Sequence, residues 1–489
     1  MVADELLWQT RQALGFEPTA GQSNAIATFC RFATDRSDRV VMIMRGAAGT
    51  GKTSVAGAIV RALRAMEQKI VLLAPTGRAA KVFALNAGCQ AYTIHRFIYR
   101  QRTFTGDMSG FTLNVNLRRD TLFIVDEASM IANIGADSGR DRPNFGSGCL
   151  LDDLVSYVYS DEGCRLMLIG DRAQLPPVGE DVSPALSSEF MSGYGLKVYN
   201  SDIDEVLRQS YGSGILMNAT TVRTMMRQPT SLPKMRVDGF NDVEVVPGDE
   251  LIEHLSDSYA HAGTDDTIVI TRSNKRAMIY NGGIRSMVLD REDELSRGDM
   301  LMVVKNNYYW TQPEPEAGHG SGLPAFLANG DRAEVRRVHR YRELYGLHFA
   351  DVLLRFPDYD GLELEATVVL DALRSEAASL THEQQEHLFE GVLADYADLP
   401  RKADRMKAVR SDRHYNALQV KYAYAVTCHK AQGGQWSHVY VDQGYMTDDM
   451  LTPSYLHWLY TALTRATDKL YLVNWPKTQI EPCKQASTL

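Results

Sequence analysis

The sequence predicts an α/β fold, and three observations carry the prediction. Apolar strand patterns alternate with helical ones through the first 185 residues, as in a parallel layer. A glycine-rich loop, "RGAAGTGKTS" (Arg45–Ser54), joins a strand to a helix. After a β-rich interval the α/β alternation returns, so a second α/β unit is split by an inserted module.

The first predicted strand is Val40–Met44, and small and aliphatic residues from Val55 to Val60 continue as a helix. Between them Gly46, Gly51, Lys52 and Thr53 fit G-x-x-x-x-G-K-[ST], with Ala47, Ala48, Gly49 and Thr50 inside the loop and Ser54 in the helix start. Backbone N–H groups of such a loop cradle phosphates, the lysine reaches the β/γ-phosphates, and the threonine hydroxyl ligates Mg²⁺. The helix N-terminus adds a favourable dipole. With glycine near 7% of residues, the four fixed positions arise by chance roughly one time in fifty in a chain of this length. The stretch therefore implies a nucleoside triphosphate, ATP, with Mg²⁺, and leaves open what the energy drives.

Further strands are predicted at Ile70–Ala74, Leu122–Asp126 and Leu166–Ile169. Thr103–Thr105 and Phe111–Val115 flank the polar turn Gly106–Gly110 and read as a β-hairpin. Gly135–Gly148 is a loop by composition. A strong strand follows at Thr267–Thr271, then short strands over 301–375 with a loop at Gln312–Leu323, and a charged helical stretch over 380–412. The last predicted strands are Tyr422–Thr427, His438–Val441 and Leu470–Val473.

The bulk numbers exclude several classes. The 489 residues imply about two to four domains. Hydrophobic content of 44% and charged content of 23% are ordinary globular values. No apolar run approaches a membrane span, and the acidic start lacks a signal-peptide core, so a cytoplasmic protein is expected. The six cysteines form no C-x-x-C and the twelve histidines no paired ligand spacing, which argues for reduced thiols and against zinc. A net charge of −9 counts against a coat of nucleic acid but not against a local basic channel.

"LFIVDEASM" places Asp126 and Glu127 at a strand end, where one acid can hold the Mg²⁺ water shell and the next can polarise an attacking water. "LIGDRAQLPPV" offers Gln174 as a γ-phosphate sensor. Arg208 in "EVLRQSYGSGI" and Arg465 in "YTALTRATDKLYLV" can complete such a site when two domains close. Taken singly, each arginine is more often a solvated ion-pair partner; their order among the other elements gives them weight.

That order is Gln22, "GAAGTGKT", "APTGRAAK", "YTIHRF", "DEASM", "GDRAQLPPV", "LRQ", "ITRSNKRAMIYNGGIR", "GDMLMVVKNNY…LANGDRAEV", "AVTCHKAQGGQW" and "YTALTRAT". It resembles a superfamily 1 helicase of the RecD-like and Dda-like branch, which moves 5′ to 3′ on single-stranded DNA. The resemblance runs from about residue 15 to 475, and "HKAQG" with "TALTRA" is its most specific part. It implies two RecA-like P-loop NTPase cores, a hairpin insertion in the first and an SH3-like β-rich insertion in the second. The expected division is 1–94 and 120–185 for the first core around a hairpin at 95–119, then 186–300 and 415–489 for the second around an insertion at 301–414. It also implies that Gln22 contacts adenine, that Gly433 lies near the nucleotide, and that Thr76, Arg78, Thr93, His95, Thr427 and His429 contact DNA. Many relatives carry a glutamate shortly after "QG"; here Gly433, Gly434, Gln435 and Trp436 follow one another, so a ribose contact from that position is not implied and looser nucleotide selectivity is. No appended nuclease motif and no large amino-terminal extension is found, as expected of a compact, monomeric motor.

The expected activity is ATP-driven 5′→3′ DNA unwinding, with single strands, duplex junctions and replication or repair proteins as partners and no membrane. A DNA-stimulated translocase that strips proteins or remodels forks is the alternative; a P-loop NTPase acting off nucleic acid leaves Arg465 and "HKAQG" without a reason. Unwinding needs a wedge. Phe111 is the candidate, because related Dda-like helicases place an aromatic pin at a comparable distance before the Asp-Glu motif; Phe104 and Met108 are the other apolar residues near the tip. Packing of Phe111 against the core is an equal alternative.

Overall fold

The computed structural model describes residues 2–101, 111–133, 146–205, 212–228, 231–311 and 326–482. Among the described residues the first half contains β1 (Val40–Gly46), β2 (Lys69–Ala74), β3 (Ala91–Thr93), β4 (Tyr99–Gln101), β5 (Phe111–Leu113), β6 (Thr121–Val125), β7 (Arg165–Gly170) and β8 (Lys197–Ile203). Six of them form one parallel sheet in the order β3-β2-β6-β7-β1-β8. Every residue of β1 is buried because helices cover both faces. Val40, Met42 and Met44 face Val55, Ile59 and Leu63 of helix Lys52–Ala65. Val41 and Ile43 face Leu151, Leu154 and Val158 on the other side. That is why the strand reads as an unbroken apolar run.

β8 was not legible as part of this sheet. It pairs with β1 from Val40–Lys197 to Gly46–Ile203, so the expected boundary at 185/186 cuts through the sequence of the first sheet. Its exposed edge explains the miss: "KVYNSDI" carries polar residues at half its positions. β4 and β5 pair antiparallel, with Tyr99 opposite Leu113 and Gln101 opposite Phe111, and the expected arm Thr103–Thr105 lies outside the described residues. Phe104, Met108, the turn Gly106–Gly110 and the side chain of Phe111 lie outside the described residues. So do Arg208 and most of the loop Gly135–Gly148.

The second half contains β9 (Val243–Val246), β10 (Thr267–Thr271), β11 (Met300–Val303), β12 (Arg332–Leu344), β13 (Leu347–Phe356), β14 (Leu362–Val369), β15 (Leu418–Tyr422), β16 (Ala425–Thr427), β17 (Trp436–Asp442) and β18 (Ala466–Val473). A second parallel sheet runs β16-β10-β17-β18-β9. β11 to β15 close into a barrel. The run expected as one strand at Tyr422–Thr427 is therefore divided: β15 ends the barrel and β16 begins the sheet. Barrel and sheet share one continuous core, in which Met300, Val335, Leu354 and Val420 pack with Ile268, Val439 and Leu470. The charged stretch forms two helices, His382–Asp395 and Lys402–Arg410, beside the barrel. Among the described residues no helix is long and apolar enough to cross a membrane.

Candidate functional site

The glycine-rich loop leaves the carboxyl end of β1, the edge where ligands of open α/β sheets bind. Gly49 and Gly51 take left-handed φ values of +75° and +79°, which lets the chain double back into the helix. A Cβ on Gly46 would lie 2.7 Å from Thr50 Oγ1 and 2.9 Å from the carbonyl of Ile203, so only glycine fits. The N–H groups of Gly49, Gly51, Lys52 and Thr53 have no partner among the described residues. The Lys52 ammonium and the Thr50 hydroxyl both donate to the Ala47 carbonyl at 2.8 Å. Thr53 is half-buried and Ser54 exposed. Free amides, a lysine on a short tether and a helix N-terminus together fit a polyphosphate.

Gln22 holds this loop from behind. It is fully buried, donates through Nε2 to the Thr50 carbonyl at 3.0 Å, and accepts the Thr19 N–H at 3.1 Å. Both ends of the amide are engaged, so this geometry makes it a prop of the loop and presents no free edge to adenine.

Asp126 follows β6, and its N–H donates to the Leu73 carbonyl. Burial, with Glu127 alongside, pushes its carboxyl well above the usual range, while Lys52 pulls the other way. Lys52 and Asp126 thus face one space. Glu127 donates its N–H to Asp126 Oδ1 at 2.9 Å and sits at a left-handed φ of +51°, a strained setting for a residue with a Cβ. Gln174 is 6% exposed and its Oε1 is buried without a partner among the described residues. The orphaned oxygen can accept only from a water or another donor, and Nε2 is the end of the same amide that can donate to a phosphate.

The turn Asp171–Leu175 is gripped from the second half of the chain. Leu175 N–H donates to Thr461 Oγ1 at 2.8 Å, Gln432 Nε2 donates to the Leu175 carbonyl at 2.7 Å, and the His457 ring pairs with the Ala173 carbonyl at 2.9 Å. Sequence reasoning gave these three residues no role. The available signal was a polar pair at i, i+4, His457 and Thr461, on the otherwise apolar helix Pro453–Leu463.

The other expected residues are placed differently. Arg465 is buried, and its three nitrogens donate to the Thr461 carbonyl, the Gly434 carbonyl and Thr464 Oγ1, at 3.0, 3.1 and 3.2 Å. Among the described residues none of its hydrogen bonds goes to the glycine-rich loop. Gly433, at φ +73°, packs against Thr76 and Ala79 of the first half. Arg78 stacks 4.1 Å over the Trp436 ring and donates through Nη2 to the Gln435 carbonyl, so it joins the halves. Thr76 and Thr93 cap helices, accepting the N–H groups of Ala79 and Arg96. His95 packs between Tyr99 and Phe326, and burial pushes its pKa down to about 4. His429 is exposed. Thr427 borders a small open cleft lined also by Asn274, Met278, Met302, Lys421 and Lys430. Burial and Lys430 lower the Lys421 pKa to about 8. Two ammoniums in one cleft favour an anion.

A family model described as an AAA domain matches residues 17–138, and one described as a UvrD-like helicase C-terminal domain matches residues 422–473. An uncharacterised protein of Methanocaldococcus jannaschii is 23% identical over 484 residues, covering 88% of this chain and 36% of its own length. The ATP-dependent DNA helicase dda of Enterobacteria phage T4 is 26% identical over 293 residues, covering 58% of this chain and 60% of its own. The chain thus spans little more than a third of the first relative and three-fifths of the second. A Pif1 helicase from Bacteroides, solved with ADP-AlF3 and single-stranded DNA, superposes with a TM-score of 0.48 at 15% identity over 96% of this chain and 95% of that one. The two matched domains, with the ordered motifs between them, make the chain similar to superfamily 1 helicases of the RecD and Dda type.

Proposed function

We propose that the chain is an ATP-driven motor that moves 5′→3′ along single-stranded DNA and separates duplex ahead of it. One observation carries this reading: second-half residues grip the Asp171–Leu175 turn beside Gln174, at the edge where the glycine-rich loop presents free amides. A bound phosphate chain there can be felt by both halves. In this reading the first RecA-like core runs through Ile203, the barrel is the SH3-like module, and the second sheet is the second core. Lys52 binds the β/γ-phosphates, Gln174 reads the γ-phosphate, and Glu127 orients the attacking water. Thr53 and Asp126 would hold Mg²⁺, which supplies charge neutralisation when bound. Arg465 and Arg208 complete the site on closure. Single-strand phosphates lie along Thr76, Thr93, Thr427 and His429, with Lys421 and Lys430 raising the local potential.

The test is ATP turnover with and without single-stranded DNA, in wild type and Lys52→Ala, followed by strand displacement on 5′-tailed, 3′-tailed and RNA-tailed duplexes. Stimulation lost in Lys52→Ala and unwinding of 5′-tailed DNA alone is the expected result. No stimulation overturns the motor. Stimulation without displacement leaves a translocase.

A further inference from the structure

Helix Pro453–Leu463 also reaches the glycine-rich loop itself, through a residue the mechanism does not use. The Ala48 N–H donates to the Tyr460 hydroxyl at 2.8 Å. The Tyr460 hydroxyl donates its own proton to Asp171 Oδ2 at 2.6 Å, and Asp171 Oδ1 accepts the Ala173 N–H at 2.9 Å. Tyr460 is 1% exposed and Asp171 3%. A phenol has a single proton, so its direction is settled: the carboxylate takes it, and a lone pair is left for Ala48. Burial and Asp171 hold the Tyr460 pKa well above the usual phenol value, which keeps that proton in place.

The far side of the same peptide gives this contact its meaning. The N–H of Ala48 and the carbonyl of Ala47 belong to one planar amide. That carbonyl accepts the Lys52 ammonium and the Thr50 hydroxyl, each at 2.8 Å. Tyr460 and Lys52 therefore hold opposite ends of one rigid plate. Rotating the plate to release Tyr460 also turns the carbonyl away from Lys52.

We propose that Tyr460 is a positioning residue for ATP hydrolysis: from the second half of the chain, its hydroxyl sets the Ala47–Ala48 peptide and, through that peptide, the Lys52 ammonium. The proposal rests on the phosphate-binding reading of the loop. It makes the placement of Lys52 depend on docking of the two halves, independently of any arginine supplied on closure. The neighbouring cross-contacts of Thr461 and His457 end on the Asp171–Leu175 turn and do not touch this peptide.

The experiment compares Tyr460→Phe, Thr461→Val and Lys52→Ala by steady-state ATP turnover at saturating single-stranded DNA, with thermal melting of each. Tyr460→Phe keeps the ring and loses the joint; kcat falls about tenfold, the loss from one well-placed hydrogen bond, while the KM for ATP stays within about threefold. Thr461→Val loses the cross-contact on the Asp171–Leu175 turn but leaves the plate alone, so its kcat falls clearly less than that of Tyr460→Phe. A wild-type kcat in Tyr460→Phe overturns the proposal, as does an equal loss in Thr461→Val, which would make docking the whole effect. If Lys52→Ala retains turnover, the phosphate-binding reading falls as well; if it is dead while Tyr460→Phe is normal, only the role of Tyr460 falls. Should Tyr460→Phe show no cooperative melt, Asp171→Asn carries the test. Its amide replaces one of the two acceptors, so kcat drops with KM held, and an unchanged kcat overturns the proposal.

Discussion

Arg78 lies 4.1 Å above the ring of Trp436, and Arg332 of the barrel stands 5.9 Å from the same ring. First sheet, second sheet and barrel thus meet on one indole. Burial and the charge of Arg332 lower the Arg78 pKa to about 10, and Asp265, Asp266 and Asp358 oppose that shift. A cation over an indole contributes about 0.5–2 kcal/mol, more as it is desolvated. Arg78→Ala should lower the melting temperature and couple non-additively with Trp436→Leu. The salt dependence of single-strand binding should keep its slope. A slope shallower by about 0.7 would mean that one phosphate contact was lost, and would return Arg78 to the DNA.

Gly433 makes another close approach between the halves. A Cβ there would lie 2.9 Å from Thr76 Oγ1 and 3.2 Å from Ala79 Cβ, on a backbone with φ +73°. Thr76 cannot turn aside freely, because its hydroxyl oxygen caps the helix Gly77–Ala87. Gly433→Ala should then cost about 1–2 kcal/mol for the left-handed backbone and about 1 kcal/mol more for the cap. ATP affinity of the first half should persist while DNA-stimulated turnover falls. Unchanged turnover would show that the two halves do not work at this spacing.

The motifs and the sheets were legible for one physical reason: both depend on local pattern. β1, β2, β6 and β7 are buried on both faces, so each is an apolar run ending in a polar loop, and Lys52, Asp126 and Gln174 stand at those ends. Partner choice across the interface was not legible. The resemblance puts Arg78 and His95 on DNA and Gly433 near the nucleotide, because a motif names residues without naming what faces them. The structure sets them against Trp436, Phe326 and Thr76, hundreds of residues away in sequence. Gln22 turned inward for a similar reason: its amide matches both the Thr50 carbonyl and the Thr19 N–H of its capping box. The edge strand β8 was missed because half its residues face water, which erased the apolar run.

His95 gives the interface a pH dependence. Its pKa, pushed down to about 4 by burial, lies below the ordinary 6.5. Between those values the unfolded chain binds a proton that the folded chain does not. Stability is therefore full above about pH 6.5 and is lost as pH falls toward 4. His95→Phe keeps a ring beside Tyr99 and Phe326 but cannot titrate. Melting temperatures from pH 7 to pH 4.5 should fall less steeply in this variant than in wild type. Parallel curves would show that His95 does not carry the dependence.

Glu127 offers a test in which stability and turnover part company. Its φ of +51° is left-handed, and its carboxylate stands beside the buried Asp126. A side chain held in that region costs about 1–2 kcal/mol relative to the ordinary helical one, and glycine escapes most of the cost. Glu127→Gln removes the charge and keeps the strain; Glu127→Gly removes both. Each should bind ATP, because Lys52 and the loop amides are untouched, and each should lose turnover, because no carboxylate remains to orient water. The glycine variant should melt higher than the glutamine variant, by an amount on the order of 1 kcal/mol. Left-handed φ occurs at six other described non-glycine residues, so it is the place of Glu127 beside the buried Asp126 that ties its strain to chemistry. Should Glu127→Gly turn over ATP at the wild-type rate, the base lies elsewhere and the strain at Glu127 has another cause.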